Sequence, residues 1–280
     1  MEMQFEKNSF SQRLKSMLRV DLKRTFVSPL FYIMVGIFLV IPILILVMTT
    51  MMDGSVTANP QTGQETVMEG FKNVWQIIGS VSAPVGEQGA GGSGADMAAG
   101  MGMDLVSMCN INLTYFAVAI FVCLFVSDDF RSGYAKNLFT VRAKKSDYVI
   151  SKTVVGFIGG AAMMLAFFIG SMLGGKMAGL PFDMEGFNGF NVFCSILAKI
   201  LLVLVFTAIS VTMSCIGKQK TWLSMLLSLG AGMLLFTMAP MISPIDSTPL
   251  QVVLCLAGGA GFAVGLGAVS NQILKKTALV

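Results

Sequence analysis

The sequence predicts an all-α integral membrane protein with six transmembrane helices and cytoplasmic N- and C-termini, and three observations carry that prediction. Mean hydropathy is +0.77 and only 12% of the 280 residues are charged, against about a quarter in soluble domains. Six stretches, at about 30–51, 109–126, 153–175, 192–216, 222–243 and 250–270, approach or reach the ~20 apolar residues that a helix needs to cross a bilayer with its backbone polar groups satisfied internally. Lys and Arg alternate by side. Sixteen fall before the first span, in 127–152, in the GKQKT turn and after Asn271, whereas 52–108 and 176–191 hold one each. Such an excess marks the cytoplasmic side.

The chain divides into a cytoplasmic amphipathic segment, 1–28, and a six-span domain, 29–280. Within 9–28, Phe10, Leu14, Met17, Leu18, Leu22 and Phe26 recur on one helical face, while Arg13, Lys15, Arg19, Lys23 and Arg24 lie mostly off it. This predicts an interfacial helix with its basic side chains toward anionic lipid. Ser28-Pro29 breaks it and starts span one. That span is too long for a cleaved secretion signal, and Pro42 is expected to kink it.

Residues 52–108 form the one long external segment. Its second half, SAPVGEQGAGGSGADMAAGMGMD, has too few branched apolar residues to offset ordering entropy and predicts a flexible loop. The earlier 65–81 predicts a short helix on the outer leaflet with Trp75 at the interface. Gly156 and Gly160 in span three, and Gly258, Gly259, Gly261, Gly265 and Gly267 in span six, predict close helix packing within the bundle. Lys199 is the only charge well inside a span, expected to snorkel or to face a cavity.

Several chemistries are excluded. The chain has no histidine, which removes His-based acid–base and metalloprotease sites. No span carries a central Asp or Glu, the usual requirement of intramembrane aspartyl proteases and ion-coupled carriers. Cys109, Cys123, Cys194, Cys215 and Cys255 lie in or at the ends of spans without CxxC spacing, so they predict buried apolar side chains. Gly170 to Lys176 reads GSMLGGK, but Met177 replaces the Mg²⁺-binding Ser/Thr of a phosphate loop and no strand precedes it. No metal or cofactor site is expected on this chain, and no nucleic-acid partner.

Charge gathers in 127–152, SDDFRSGYAKNLFTVRAKKSDYVISK, with three acidic and six basic residues. Ser127 is placed to cap a helix with Asp128 and Asp129 in its first turn. Phe130, Tyr134, Leu138 and Val141 then form an apolar stripe, flanked by Arg131 and Lys136 and followed by Arg142, Lys144 and Lys145. Topology alone would need only the basic residues.

This segment resembles the first cytoplasmic loop of the ABC-2 family, the membrane subunits of type-2 ATP-binding-cassette exporters. The likeness rests on Asp128/Asp129, Gly133, Lys136-Asn137, Leu138-Phe139, the basic turn from Arg142 to Ser146, Tyr148 and Lys152, together with the six-span order. The turn lacks the Pro or Ser-Arg common in that family, and the long external element follows span one, not span five.

The resemblance implies an N-terminal elbow helix and, at 128–145, a coupling helix seated in a separate ATPase. The coupling residues would be Asp128, Asp129, Phe130, Arg131, Gly133, Tyr134, Lys136, Asn137, Leu138 and Arg142. It also implies two cytoplasmic ATPase subunits, which bind the ATP and Mg²⁺, and a second permease copy or paralogue. A substrate path involving spans two and five would offer Asn110, Asn112, Thr114, Tyr115, Ser224, Ser228 and Thr237. On this reading the chain is a permease subunit in a bacterial plasma membrane, exporting an amphipathic or hydrophobic peptide, lipid-like molecule or drug. A non-transporting membrane scaffold or signalling partner is the alternative, and an independent channel is disfavoured by the lack of midplane acids.

Overall fold

Apolar helices in lipid gain little from hydrophobicity alone, so what selects their partners is shape, and small residues decide it. A computed structural model of the protein describes residues 10–58, 65–67, 70–79, 110–140, 144–184 and 186–276, apart from the side chains of Thr57, Ala58, Glu65, Thr66, Val67, Leu234 and Thr237. In chain order the helices are α1 (Phe10–Val27), α2 (Pro29–Met52), α3 (Leu113–Arg131), α4 (Tyr134–Thr140), α5 (Lys145–Ala178), α6 (Gly189–Gly217), α7 (Thr221–Ile242) and α8 (Pro249–Lys276). Helices α2, α3, α5, α6 and α8 are long and apolar enough to cross a membrane, and α7 is apolar over Thr221–Met233.

Helix α5 is the centre, and its glycines explain why. Gly156 faces Thr207 of α6 and Val122 of α3, while one turn on Gly160 faces Val203 and Val118 of the same helices. Further along, a Cβ on Gly170 would collide with the carbonyl of Leu39, and one on Gly174 would stand 2.8 Å from the Cα of Ile43. The backbone of α2 therefore lies directly on α5, with Phe31, Phe38, Pro42 and Leu46 of α2 buried and Tyr32, Ile33, Ile37, Val40 and Leu44 exposed on its far side. GSMLGGK is helical throughout and its glycines are packing surfaces.

The expectation for span six is corrected. A Cβ on Gly259 would stand 3.2 Å from the Leu201 carbonyl oxygen and one on Gly267 would meet Val149 at 3.9 Å, but a Cβ on Gly258, Gly261 or Gly265 would meet nothing within 4 Å. Only 11% of the apolar window of α8 is buried. Helix α8 lies along α6 by one edge, so its remaining glycines face outward.

The segment after α2 also differs from expectation. Instead of a helix over 65–81 there is a two-stranded hairpin, β1 (Val56–Ala58) with β2 (Glu65–Val67), and then a 3-10 turn at Val74–Ile77. β-Branched Thr66 and Val67 suit a strand, and Gly70 lets the chain pass the Thr49 carbonyl, which a Cβ would meet at 2.6 Å. Trp75 is buried, edge-on to Phe182 and Phe187. The expected flexible stretch after it, Cys109 and Arg142 lie outside the described residues, as does the side chain of Thr237. The four described cysteines are free and buried, as expected for apolar core residues.

The 127–152 segment folds otherwise than its pattern suggests. Ser127, Asp128 and Asp129 do not begin a helix. Helix α3 runs through them to Arg131 and ends where the Ser132 N–H and hydroxyl both bond the Asp128 carbonyl, at 2.8 and 2.7 Å. Gly133 at φ 76° turns the chain, and α4 follows. The apolar run into Ser127 makes continuing α3 more favourable than starting anew. An L-residue in the left-handed region costs about 1–2 kcal/mol, so Gly133→Ala is expected to lower unfolding stability by that amount in a detergent melt.

Candidate functional site

Where α3 ends and α5 begins, four charged side chains from three helices meet. Helix α1 turns Met17, Asp21 and Thr25 inward, successive residues four apart, so the lone acid of a basic helix lies on its buried face. Of the apolar stripe read from the sequence, Met17 is buried, Leu14, Leu18 and Leu22 are half-buried, and Phe10 and Phe26 are exposed. Asp21 accepts from Lys152 Nζ at 2.9 Å and from Ser151 Oγ at 2.7 Å, both on α5. Lys152 Nζ also stands 2.6 Å from Asp129 Oδ2 of α3. Asp129 further accepts from the Tyr148 hydroxyl at 3.1 Å and from Arg24 Nη1 at 2.8 Å. Asp21, Asp129 and Lys152 are fully buried.

Aromatic rings close the cluster. Phe125 lies 4.0 Å from the Lys152 ammonium, and Tyr134, the first residue of α4, lies 4.4 Å from the Arg24 guanidinium. Phe130 and Phe139 meet the Tyr148 ring edge-on. Burial alone would lower the Arg24 guanidinium, but the charge and hydrogen bond of Asp129, with Asp21, outweigh it and hold Arg24 above its ordinary value. Burial, with Asp21 and Asp129 opposite, raises the Tyr134 phenol despite the opposing Arg24, so the ring under the guanidinium stays neutral.

Two acids and two bases balance, which suits a buried site. In such a pair the desolvation cost nearly cancels the attraction, yet removing one partner strands a charge and is strongly unfavourable. The cluster therefore fixes the register of α1 against α3 and α5 more than it adds stability. Beside it Arg13 Nε bonds Asp147 Oδ2 at 3.1 Å, and Lys145 Nζ bonds the Leu274 carbonyl at 2.5 Å, tying in α8.

Of the residues singled out in the sequence, Asp129 and Phe130 are buried in this cluster, Tyr134 and Leu138 are half-buried over it, and Gly133 is the turn. Asp128, Arg131, Lys136 and Asn137 are exposed. Arg24, read from the sequence as one of the basic side chains toward lipid, pairs with Asp129; Asp21 goes unmarked in that reading, and the signal for it is an acid four residues from Met17 in an otherwise basic segment.

The polar residues of spans two and five are packed. Tyr115, Asn112, Thr114, Ser224 and Ser228 are buried and Asn110 half-buried. Ser228 bonds Ser210 at 2.7 Å, and Tyr115 stacks on Phe206 while its hydroxyl donates to the Lys199 carbonyl. Lys199 itself does not snorkel. It is fully buried, its ammonium on the Ser243 carbonyl and hydroxyl at 2.7 and 3.1 Å.

The long apolar helices make this a polytopic helical membrane protein, with a charge cluster that joins its N-terminal helix to the segment between α3 and α5. The family model described as ABC-2 family transporter protein matches residues 74–235, more than half of the chain, and the chain belongs to that family. No curated protein and no solved structure matches it.

Proposed function

We propose that the chain is the permease subunit of an ATP-driven exporter. Its six spans are α2, α3, α5, α6, α7 and α8, both termini are cytoplasmic, α1 is the elbow in the inner headgroup layer, and α4 docks on a separate ATPase. The observation that carries this is Arg24. From α1 it bonds Asp129 at the end of α3 and lies against Tyr134 at the start of α4. A push on α4 is thereby delivered to the elbow and, through Lys152, to α5.

The docking surface is the outward side of α4, where Lys136, Asn137 and Thr140 are exposed, extended by Asp128 and Arg131. Two copies, or one copy and a paralogue, face each other with two ATPases beneath. Among the described residues the polar side chains of α3 and α7 are packed inside the bundle, which supports a substrate path between copies. An amphipathic or hydrophobic substrate suits its apolar walls.

Reversing the exposed charge tests the docking surface. The double variant Lys136→Glu with Asn137→Glu is expected to lose co-purification with the ATPase and to uncouple transport, with no change in melting temperature. Full ATPase recovery with this variant would sink the α4 docking role.

A further inference from the structure

The cluster described above uses the charges at one end of the bundle and leaves Lys199 unexplained. Two hydrogen bonds to Ser243 occupy its ammonium, and no carboxylate pairs with it among the described residues. Asp246, three residues past Ser243, is exposed. A cation held in a low-dielectric interior without a counter-charge is costly, and inside a membrane protein it marks a site by default.

Beside it lies a cavity of about 410 Å³ between α6, α7 and α8, within the roughly 300–1,000 Å³ of ligand sites. Its walls are apolar, from Leu202, Phe206 and Leu235 to Phe262, and only Gln251 and the Cys255 thiol are polar. Gly258 lines it with open space in front, so the absence of a side chain there helps to form the cavity. Ala239 and Cys255 separate it from the charge. The Ala239 carbonyl accepts from the same Ser243 hydroxyl that bonds Lys199. The cavity opens on the outward face of α8, where Leu254 and Phe262 are exposed.

We propose that this groove seats an acyl chain of an anionic phospholipid, with the headgroup phosphate at the Gln251 end, over Lys199. An apolar tail matches the walls and a phosphate supplies the missing counter-charge across a gap too dry to screen it. A second copy matches less well. Helices α6, α7 and α8 contain no Asp or Glu, and Asp246 on the α7–α8 loop does not line the groove, so the walls that a two-fold contact through this face would bring together carry no acid for Lys199.

The test is reconstitution of the whole chain in nanodiscs of equal phosphatidylglycerol and phosphatidylcholine, followed by native mass spectrometry of retained lipid. The wild type is expected to retain phosphatidylglycerol preferentially. Lys199→Met is expected to lose that preference about tenfold, and Gly258→Leu, which fills the groove, to lose retained lipid of both kinds at unchanged melting temperature. Should Lys199→Met fail to fold, Gly258→Leu decides alone. Unchanged phosphatidylglycerol retention in Gly258→Leu overturns the proposal. So does disulfide formation between copies of Gly258→Cys without lipid, which would make the groove a subunit contact.

Discussion

Lys152→Met is expected to destabilise the protein by about 3–5 kcal/mol, read as a fall in melting temperature on the order of 10 °C. The size follows from what the methionine leaves behind. Lys152 is the cation shared by two fully buried carboxylates, 2.9 Å from Asp21 and 2.6 Å from Asp129. Without it the two acids face each other across α1 and α3, with Arg24, itself partly exposed, as the remaining cation. Phe125, 4.0 Å from the ammonium, would also lose a cation partner. The cause can be separated from loss of packing. If stranded charge is responsible, Lys152→Met combined with Asp21→Asn and Asp129→Asn should regain most of the lost stability, because the three fully buried charges are then removed together and the remaining Arg24 is partly exposed. A triple variant as unstable as the single one would show that the lysine stem, not the charge, holds these helices together.

The sequence shows the elements far better than it shows this cluster. Spans of twenty apolar residues are local facts, and α2, α5, α6, α7 and α8 each fall within several residues of the predicted stretch. Gly156 and Gly160 likewise announce a close approach through their spacing alone. The pairings of Asp21 with Ser151 and Lys152 join residues 130 and 131 positions apart, and no periodicity within α1 or α5 encodes that distance. The 127–131 stretch misleads for another reason. Ser followed by two acids has the chemistry of a helix start, but the preceding apolar residues already form a helix, and propagating it needs no new nucleus. The acids then serve a different end: Asp128 takes the cap bonds on its carbonyl, and Asp129 turns into the core. Span six misleads similarly, since Gly258, Gly261 and Gly265 read as packing residues although a Cβ on any of them would meet open space.

Arg24→Ala is expected to cost about 2 kcal/mol, the loss of a hydrogen bond to a charged group, with a disproportionate loss of coupling between ATP hydrolysis and transport. The guanidinium, carried on α1, reaches both the end of α3 and the start of α4. It stands 2.8 Å from Asp129 and 3.9 Å from Asp21, and its Cζ lies 4.4 Å from the centroid of the Tyr134 ring. With alanine, Lys152 still neutralises one of the acids, so α1, α3 and α5 stay assembled. What is lost is the grip on α4. Arg24→Lys distinguishes the two functions of the residue. An ammonium can keep the ion pair with Asp129, but it lacks the flat face that stacks on a phenol and the fork that reaches two acceptors. Melting temperature should therefore recover largely in Arg24→Lys, while ATPase stimulation by substrate stays impaired in proteoliposomes holding the full complex. Tyr134→Phe keeps the ring and should retain coupling, whereas Tyr134→Ala should resemble Arg24→Lys. If Arg24→Lys restores coupling in step with stability, the contact with Tyr134 carries no motion, and force must pass from α4 to the spans by another route.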